Sequence, residues 1–165
     1  MQGESQVEAV FTSRYGLGTD YLLTGVRVEI NQQTFLIGTG IDISERKRSE
    51  RISQSRLRIL EYSADHSLEE VLQNTLDEVG ALVNSPIGFY HFVDADQQTL
   101  TLQAWSTATL ETYCEAEGVG MHYGIDKAGV WVDCVHQRRP VIHNDYAALP
   151  HRKGLPEGHA SLNRE

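Results

Sequence analysis

The sequence predicts an α+β protein in which two blocks of antiparallel strands are joined by a helix. Three observations predict it. Apolar residues alternate with period 2 near the start of the chain and again in its middle. A basic stretch without Pro or Gly lies between the two blocks. A capping signature at Ser67 opens a broad apolar helical face that ends before Pro86.

The first block reads as three strands. Val7, Ala9 and Phe11 alternate with Glu8, Val10 and Thr12, and Val26, Val28 and Ile30 alternate with Arg27 and Glu29. The polar turn Asn31-Gln32-Gln33 separates a strand over 21–30 from one over 34–41. Adjacent strands with short connections predict an antiparallel meander. Residues 1–44 are few for a core of their own, so either the sheet packs on something else or the chain begins inside a domain.

The connector starts at Asp42-Ile43-Ser44-Glu45, where Asp42 or Ser44 can cap a helix. Ile52, Ile59 and Tyr62 sit at heptad-compatible spacing, while Arg48 and Ser55 occupy the other seam positions. A second helix opens with the capping box Ser67-Leu68-Glu69-Glu70 and carries Val71, Leu72, Leu76, Val79 and Leu82 on one face. Beyond Pro86 the period returns to 2. Phe89, His91 and Val93 alternate with Gly88, Tyr90 and Phe92, then a turn at 94–98 leads to Leu100, Leu102 and Trp105, which predicts a hairpin. Residues 107–129 read as a short helix and loop, 129–137 as a helix, 141–143 as a strand, and 150–159 as a surface loop.

Composition narrows the function classes. Of 165 residues, 14 are Lys or Arg and 23 are Asp or Glu, a formal charge of −9. The acidic balance argues against general nucleic-acid binding, which needs a basic surface. The apolar runs are too short to span a membrane, and the start lacks the layout of a secretory signal. Two cysteines, Cys114 and Cys134, are too few for a disulfide scaffold and predict a reducing, cytoplasmic setting. The charge is uneven: −3 over 1–44, +3 over 45–62 and −9 over 63–165.

Five of the seven histidines (His122, His136, His143, His151 and His159) fall near Cys134, which raises a zinc site. On one helix, however, Cys134 and His136 point about 200° apart at ~100° per residue. No CxxC or HxxxH pair adds to them, and surface and loop histidines are the preferred reading.

Two stretches carry a family resemblance. Tyr21-Leu22-Leu23-Thr24-Gly25-Val26 and Gly40-Ile41-Asp42-Ile43-Ser44-Glu45-Arg46-Lys47 resemble the closing strands of a PAS domain, where an Asp-Ile-Thr-like triplet leads into a signalling helix. Pro86-Ile87-Gly88-Phe89-Tyr90, Tyr123-Gly124-Ile125-Asp126-Lys127-Ala128-Gly129-Val130-Trp131, Pro140-Val141-Ile142-His143-Asn144-Asp145-Tyr146 and Gly154-Leu155-Pro156-Glu157-Gly158-His159 resemble, in order, the first two-thirds of a GAF domain. The resemblance implies PAS strands over 1–44, a signal helix over 45–66 and a GAF-like antiparallel sheet flanked by helices over 67–165, incomplete at its C-terminal end.

The resemblance also implies a function. The chain is expected to be a sensory relay fragment of a bacterial PAS–GAF signalling protein, not itself an enzyme. A histidine kinase or cyclic-dinucleotide (diguanylate cyclase) output domain would lie in the parent chain. A homodimer through the linker helix and an unidentified small-molecule ligand are the expected partners, without nucleic acid or a membrane segment. The ligand-lining residues mapped by motif are Tyr90, Phe92, Trp105, Tyr123, Trp131, Asn144, Tyr146 and His159. Aromatic walls with a few polar groups suit such a site; the alternative is that Phe92, Trp105 and Trp131 simply fill the core. The cofactor is left unknown, with no pattern for bilin, haem or metal. Two other functions stay open: a small methionine sulfoxide reductase acting through Cys134, and a ligand-free dimerisation module.

Overall fold

A computed structural model of the chain describes residues 4–113 and 122–150, with the backbone alone at Tyr113, His122 and Tyr123. The chain divides into two compact units, Met1–Leu57 and Arg58–Glu165.

The first unit is a meander of β1 (Glu4–Thr12), β2 (Gly18–Ile30) and β3 (Gln33–Asp42), in that spatial order. Antiparallel register pairs Val7 with Leu23 and Leu22 with Ile41. The β1–β2 turn is held by Ser13, whose Oγ accepts from the backbone N–H groups of Tyr15 and Leu17. The β2–β3 turn has only two residues, Asn31 (φ 50°) and Gln32 (φ 65°). Both are left-handed, the conformation whose twist matches that of the flanking strands. Of the two expected caps, Asp42 acts: its Oδ1 accepts from the Ser44 backbone N–H at 2.8 Å. That bond holds the Asp42 carboxyl below the usual carboxylate range. It opens α1 (Ser44–Ser63), whose Arg46 and Lys47 both pair with Glu8 of β1. Val10, Ile37 and Ile41 on one sheet face and Val7, Phe11 and Leu36 on the other are each more than half exposed.

The second unit takes in the end of α1, then α2 (Leu68–Val83) and a sheet of order β4 (Phe89–Val93), β5 (Thr99–Trp105) and β6 (His122–Gly124). The expected capping box forms. The Ser67 Oγ accepts from the Glu70 N–H, and Glu70 Oε2 accepts from the Ser67 N–H at 2.8 Å. Asn84, at φ 54°, closes α2 in the left-handed conformation. Two neighbouring carboxylates on α2 hold two different elements: Asp77 takes the Thr107 N–H and hydroxyl, and Glu78 takes the Arg58 guanidinium at 2.8 and 2.7 Å. In the β4–β5 turn, Asp96 Oδ1 accepts from the N–H groups of Gln98 and Thr99.

Two sequence expectations change. The helix expected over 129–137 is a 3-10 turn, Val130–Val132, followed by α3 (Asp133–Gln137). No strand forms over 141–143; His143 is held by Asp133 at 3.2 Å. Conversely, β6 comes from a stretch read as loop, pairing Leu100 with Tyr123.

Candidate functional site

The β4–β5–β6 sheet has two unlike faces, and one irregularity makes them so. Tyr90 pairs with Ala104 but His91 pairs with Leu102, so Gln103 is an extra residue in β5. The extra residue reverses the alternation of β5 and puts Trp105, Leu102 and Leu100 on the same face as Phe89 and His91. The segment 125–132 covers that face. Leu100, Ala128 and Val132 form its buried cluster, with Ile125 and Trp131 packed against them. Leu100 is fully buried, and Val130 is 2% exposed.

An aromatic box is the result. The His91 ring stacks on Trp131, with centroids 4.6 Å apart and planes at 28°. Phe89 meets His91, Trp105 and Trp131 edge-on at 5.2, 5.8 and 5.3 Å. Burial among these rings disfavours the charged imidazolium and pushes the His91 pKa down to about 4. His91 is therefore neutral at pH 7, with one ring nitrogen a donor and the other an acceptor. The Trp105 Nε1–H is buried and has no hydrogen-bond partner among the described residues. A buried donor left unmet costs about 1–3 kcal/mol, which an acceptor atom placed there would recover. The four rings thus pack on one another, with the Trp105 indole N–H and the His91 ring nitrogens as the polar atoms among them.

The expected lining residues divide between places. Trp105 and Trp131 belong to the box. Tyr90 and Phe92 lie on the opposite face, edge-on to each other at 6.0 Å and 37% and 40% exposed. Tyr146, 6% exposed, is a core residue in the turn Tyr146–Ala148, and Asn144 is exposed just before it. For the adjoining Asp145 the turn-chemistry reading holds: its Oδ1 accepts from the Ala148 N–H at 3.2 Å. Tyr123 contributes backbone to β6; its side chain and the whole of His159 lie outside the described residues. Phe89 and His91 are the box residues absent from the expected set. Their signal is the β4 alternation itself, which sets them on one face and Tyr90 and Phe92 on the other.

A separate cleft of about 640 Å³ lies between the end of α2 and the turn after β5, lined by Asp77, Gly80, Ser106, Thr107 and Glu111 among others. Its floor is a buried polar knot: the Ser106 hydroxyl meets Thr109 Oγ1 at 2.7 Å and donates to the Pro86 carbonyl at 3.0 Å. Cys134 is exposed near the start of α3, not late in a longer helix, and its thiol donates to the Trp131 carbonyl at 3.2 Å. Among the described residues no three His, Cys, Asp or Glu side chains come together as a metal site.

The model of the GAF domain family matches residues 65–165. The chain belongs to the GAF domain family. Its matched region takes in α2, the β4–β5–β6 sheet and the aromatic box. A similar protein is the "Methyl sulfide methyltransferase-associated sensor" of Methanosarcina acetivorans, 37% identical over 130 residues. That likeness covers 74% of this chain and 13% of the relative's length. It is longer than the family match, so it reaches into residues ahead of 65. A GAF domain and a sensor-named relative together support a sensory signalling module. Among the described residues no helix is long and apolar enough to cross a membrane.

Proposed function

We propose that this chain is a ligand-responsive relay module of a larger signalling protein, binding a small molecule on the aromatic face of its GAF sheet. The observation that carries the reading is the box of Phe89, His91, Trp105 and Trp131, with the indole N–H of Trp105 buried and without a hydrogen-bond partner among the described residues. A ligand ring or alkyl group would pack on Trp131 and Phe89, and an acceptor atom would take the Trp105 N–H. Aromatic walls around a few polar atoms are what small-molecule sites are made of. Binding would favour one arrangement of the covering segment 125–132 over others, a population shift.

In this reading residues 1–44 are the closing strands of a PAS domain, 45–66 a signal helix, and 67–165 the GAF module, with Tyr123 and His159 as further lining residues. A three-stranded meander running through Asp42-Ile43-Ser44 into a helix supports the first assignment. The parent would be a cytoplasmic two-component histidine kinase or a related sensor, dimeric through the linker helix.

The test uses the only two tryptophans of the chain, both of which lie in the box. Native mass spectrometry of protein purified from cells should find a retained small molecule, and adding it back should change tryptophan fluorescence. Trp131→Ala should abolish the retention. Protein that carries no small molecule, with fluorescence that no fraction of a cell extract alters, would refute the reading.

A further inference from the structure

The cleft at the C-terminal end of α2 lies within the second unit and shares no residue with the aromatic box. At about 640 Å³ it has the size of a small-molecule site. Leu76, Ala81, Pro86 and Ala108 give it apolar wall. Its charged residues are Asp77 and Glu111, both acidic, and no Lys, Arg or His stands among the described residues that line it. The two acids differ in what they do. Asp77 already holds Thr107 through both of its oxygens. Glu111 is exposed and has no hydrogen bond or ion pair among the described residues.

The end of α2 adds charge of the same sign. This helix of 16 residues finishes at the cleft, so the negative end of its dipole lies there. Its last turn carries no basic residue to offset that end. The Ser85 N–H, which would meet the Ala81 carbonyl if α2 went on, turns back to the Gly80 carbonyl at 2.9 Å. The Ala81 carbonyl is thereby left without a donor among the described residues. A cleft lined by one sign of charge, with apolar wall beside it, concentrates the opposite charge. A metal ion is a poor fit, because no third His, Cys, Asp or Glu side chain among the described residues joins the two carboxylates.

We propose that this cleft binds an organic cation, a protonated amine or amidine on a small apolar body. The charge would lie against Glu111 and the carbonyl end of α2, and the body against Leu76, Pro86 and Ala108. This is a second site, and it stands whether or not the aromatic face takes a ligand. Thr107 lies in its wall, so occupancy bears on the contact by which Asp77 of α2 holds the chain just beyond β5.

The probe is benzamidine, with benzamide as its neutral isostere, titrated into the full 165-residue chain and followed by amide NMR shifts. Benzamidine should saturate with a Kd on the order of 1 mM, as suits so small a ligand, and shift the amides of Gly80, Ala81, Thr107 and Ala108. Benzamide should bind about fivefold more weakly, and Glu111→Gln should weaken benzamidine by about the same factor. Glu69→Gln removes an equal charge from the first turn of α2 and should leave binding unchanged. Far-UV circular dichroism checks that both variants are folded. No saturation at about ten times that concentration would overturn the proposal, as would equal binding of benzamide or an equal loss in Glu69→Gln. Shifts confined to the Trp105 indole N–H and the amides of 125–132 would place the probe in the aromatic box, overturning the cleft and leaving the box reading intact.

Discussion

His91 should make the second unit lose stability in mildly acidic solution, over a window set by one buried imidazole. Its pKa is pushed from 6.5 down to about 4 by burial, with its ring against Phe89 and Trp131. Between those values the unfolded chain binds a proton that the folded chain refuses. Stability is therefore full above pH 6.5, falls as pH drops towards 4, and levels off below. At ~1.4 kcal/mol per pH unit the window is worth about 3 kcal/mol at most. The ring is not fully buried, and solvent screening reduces the effect to about 2 kcal/mol. That corresponds to roughly 10 °C in Tm for a unit of this size.

Comparison with His91→Phe isolates the contribution, because phenylalanine keeps the stacking on Trp131 and carries no proton. Asp42, Glu70 and Asp96, whose carboxyls are held low by hydrogen bonds, also lose stability on acidification, but equally in both proteins. Tryptophan fluorescence is the assay, since Trp105 and Trp131 both report on this unit. The wild type should fall further than His91→Phe between pH 6.5 and 4, by about 2 kcal/mol. Parallel curves over that range would refute the argument, as would an imidazole NMR titration of His91 centred near 6.5.

Three further perturbations have directions set by backbone and helix geometry. Gln32→Gly should stabilise the first unit by about 0.5 kcal/mol, because Gln32 sits at φ 65° in a two-residue turn that favours glycine there; slower amide exchange across β2 and β3 is the readout. Gly80→Ala should destabilise by about 1–2 kcal/mol in urea unfolding, against its helix propensity, since a Cβ would lie 2.6 Å from the Ser85 carbonyl oxygen. Asp77→Ala should cost about 1–3 kcal/mol, by leaving the Thr107 N–H and hydroxyl without their acceptor, and Asp77→Asn should recover part of that loss in the same assay.

The elements that are legible in the sequence are those with a repeating local signal. Alternation marks the meander and the β4–β5 hairpin, and Ser67 with Glu70 marks the start of α2 to the residue. The elements that escape depend on partners distant in sequence. Three residues of β6 have no period to read and exist because β5 pairs with them. Val141 and Ile142 have strand propensity but no ladder among the described residues. The box is half legible: the motifs point to Trp105 and Trp131, but to Tyr90 and Phe92 in place of Phe89 and His91. Aromatic character alone cannot decide between the two faces of β4. Nor does the sequence show that β5 bulges at Gln103, and in unbroken alternation Trp105 would face away from Leu102 and Leu100.

The bulge also places the box close to the grip of α2. Trp105 ends β5, and two residues later Thr107 is held through both its N–H and its hydroxyl by Asp77. Asp77 and Glu78 are adjacent on α2 and so point about 100° apart, which lets the pair reach two separate elements. Glu78 uses its direction to take Arg58, the residue after Leu57 in the linker helix. A shift of Trp105 along its strand would therefore be felt at Thr107, pass to α2 through two hydrogen bonds, and leave it one residue further on through a two-bonded guanidinium–carboxylate pair. Bonds of this kind fix direction as well as distance, so they transmit displacement better than an apolar contact that can slide. For the proposed relay, this is one chain of directional contacts from the aromatic face to α1. Each of its links is an exchange of named donors and acceptors, open to a double-mutant cycle between Asp77–Thr107 and Arg58–Glu78.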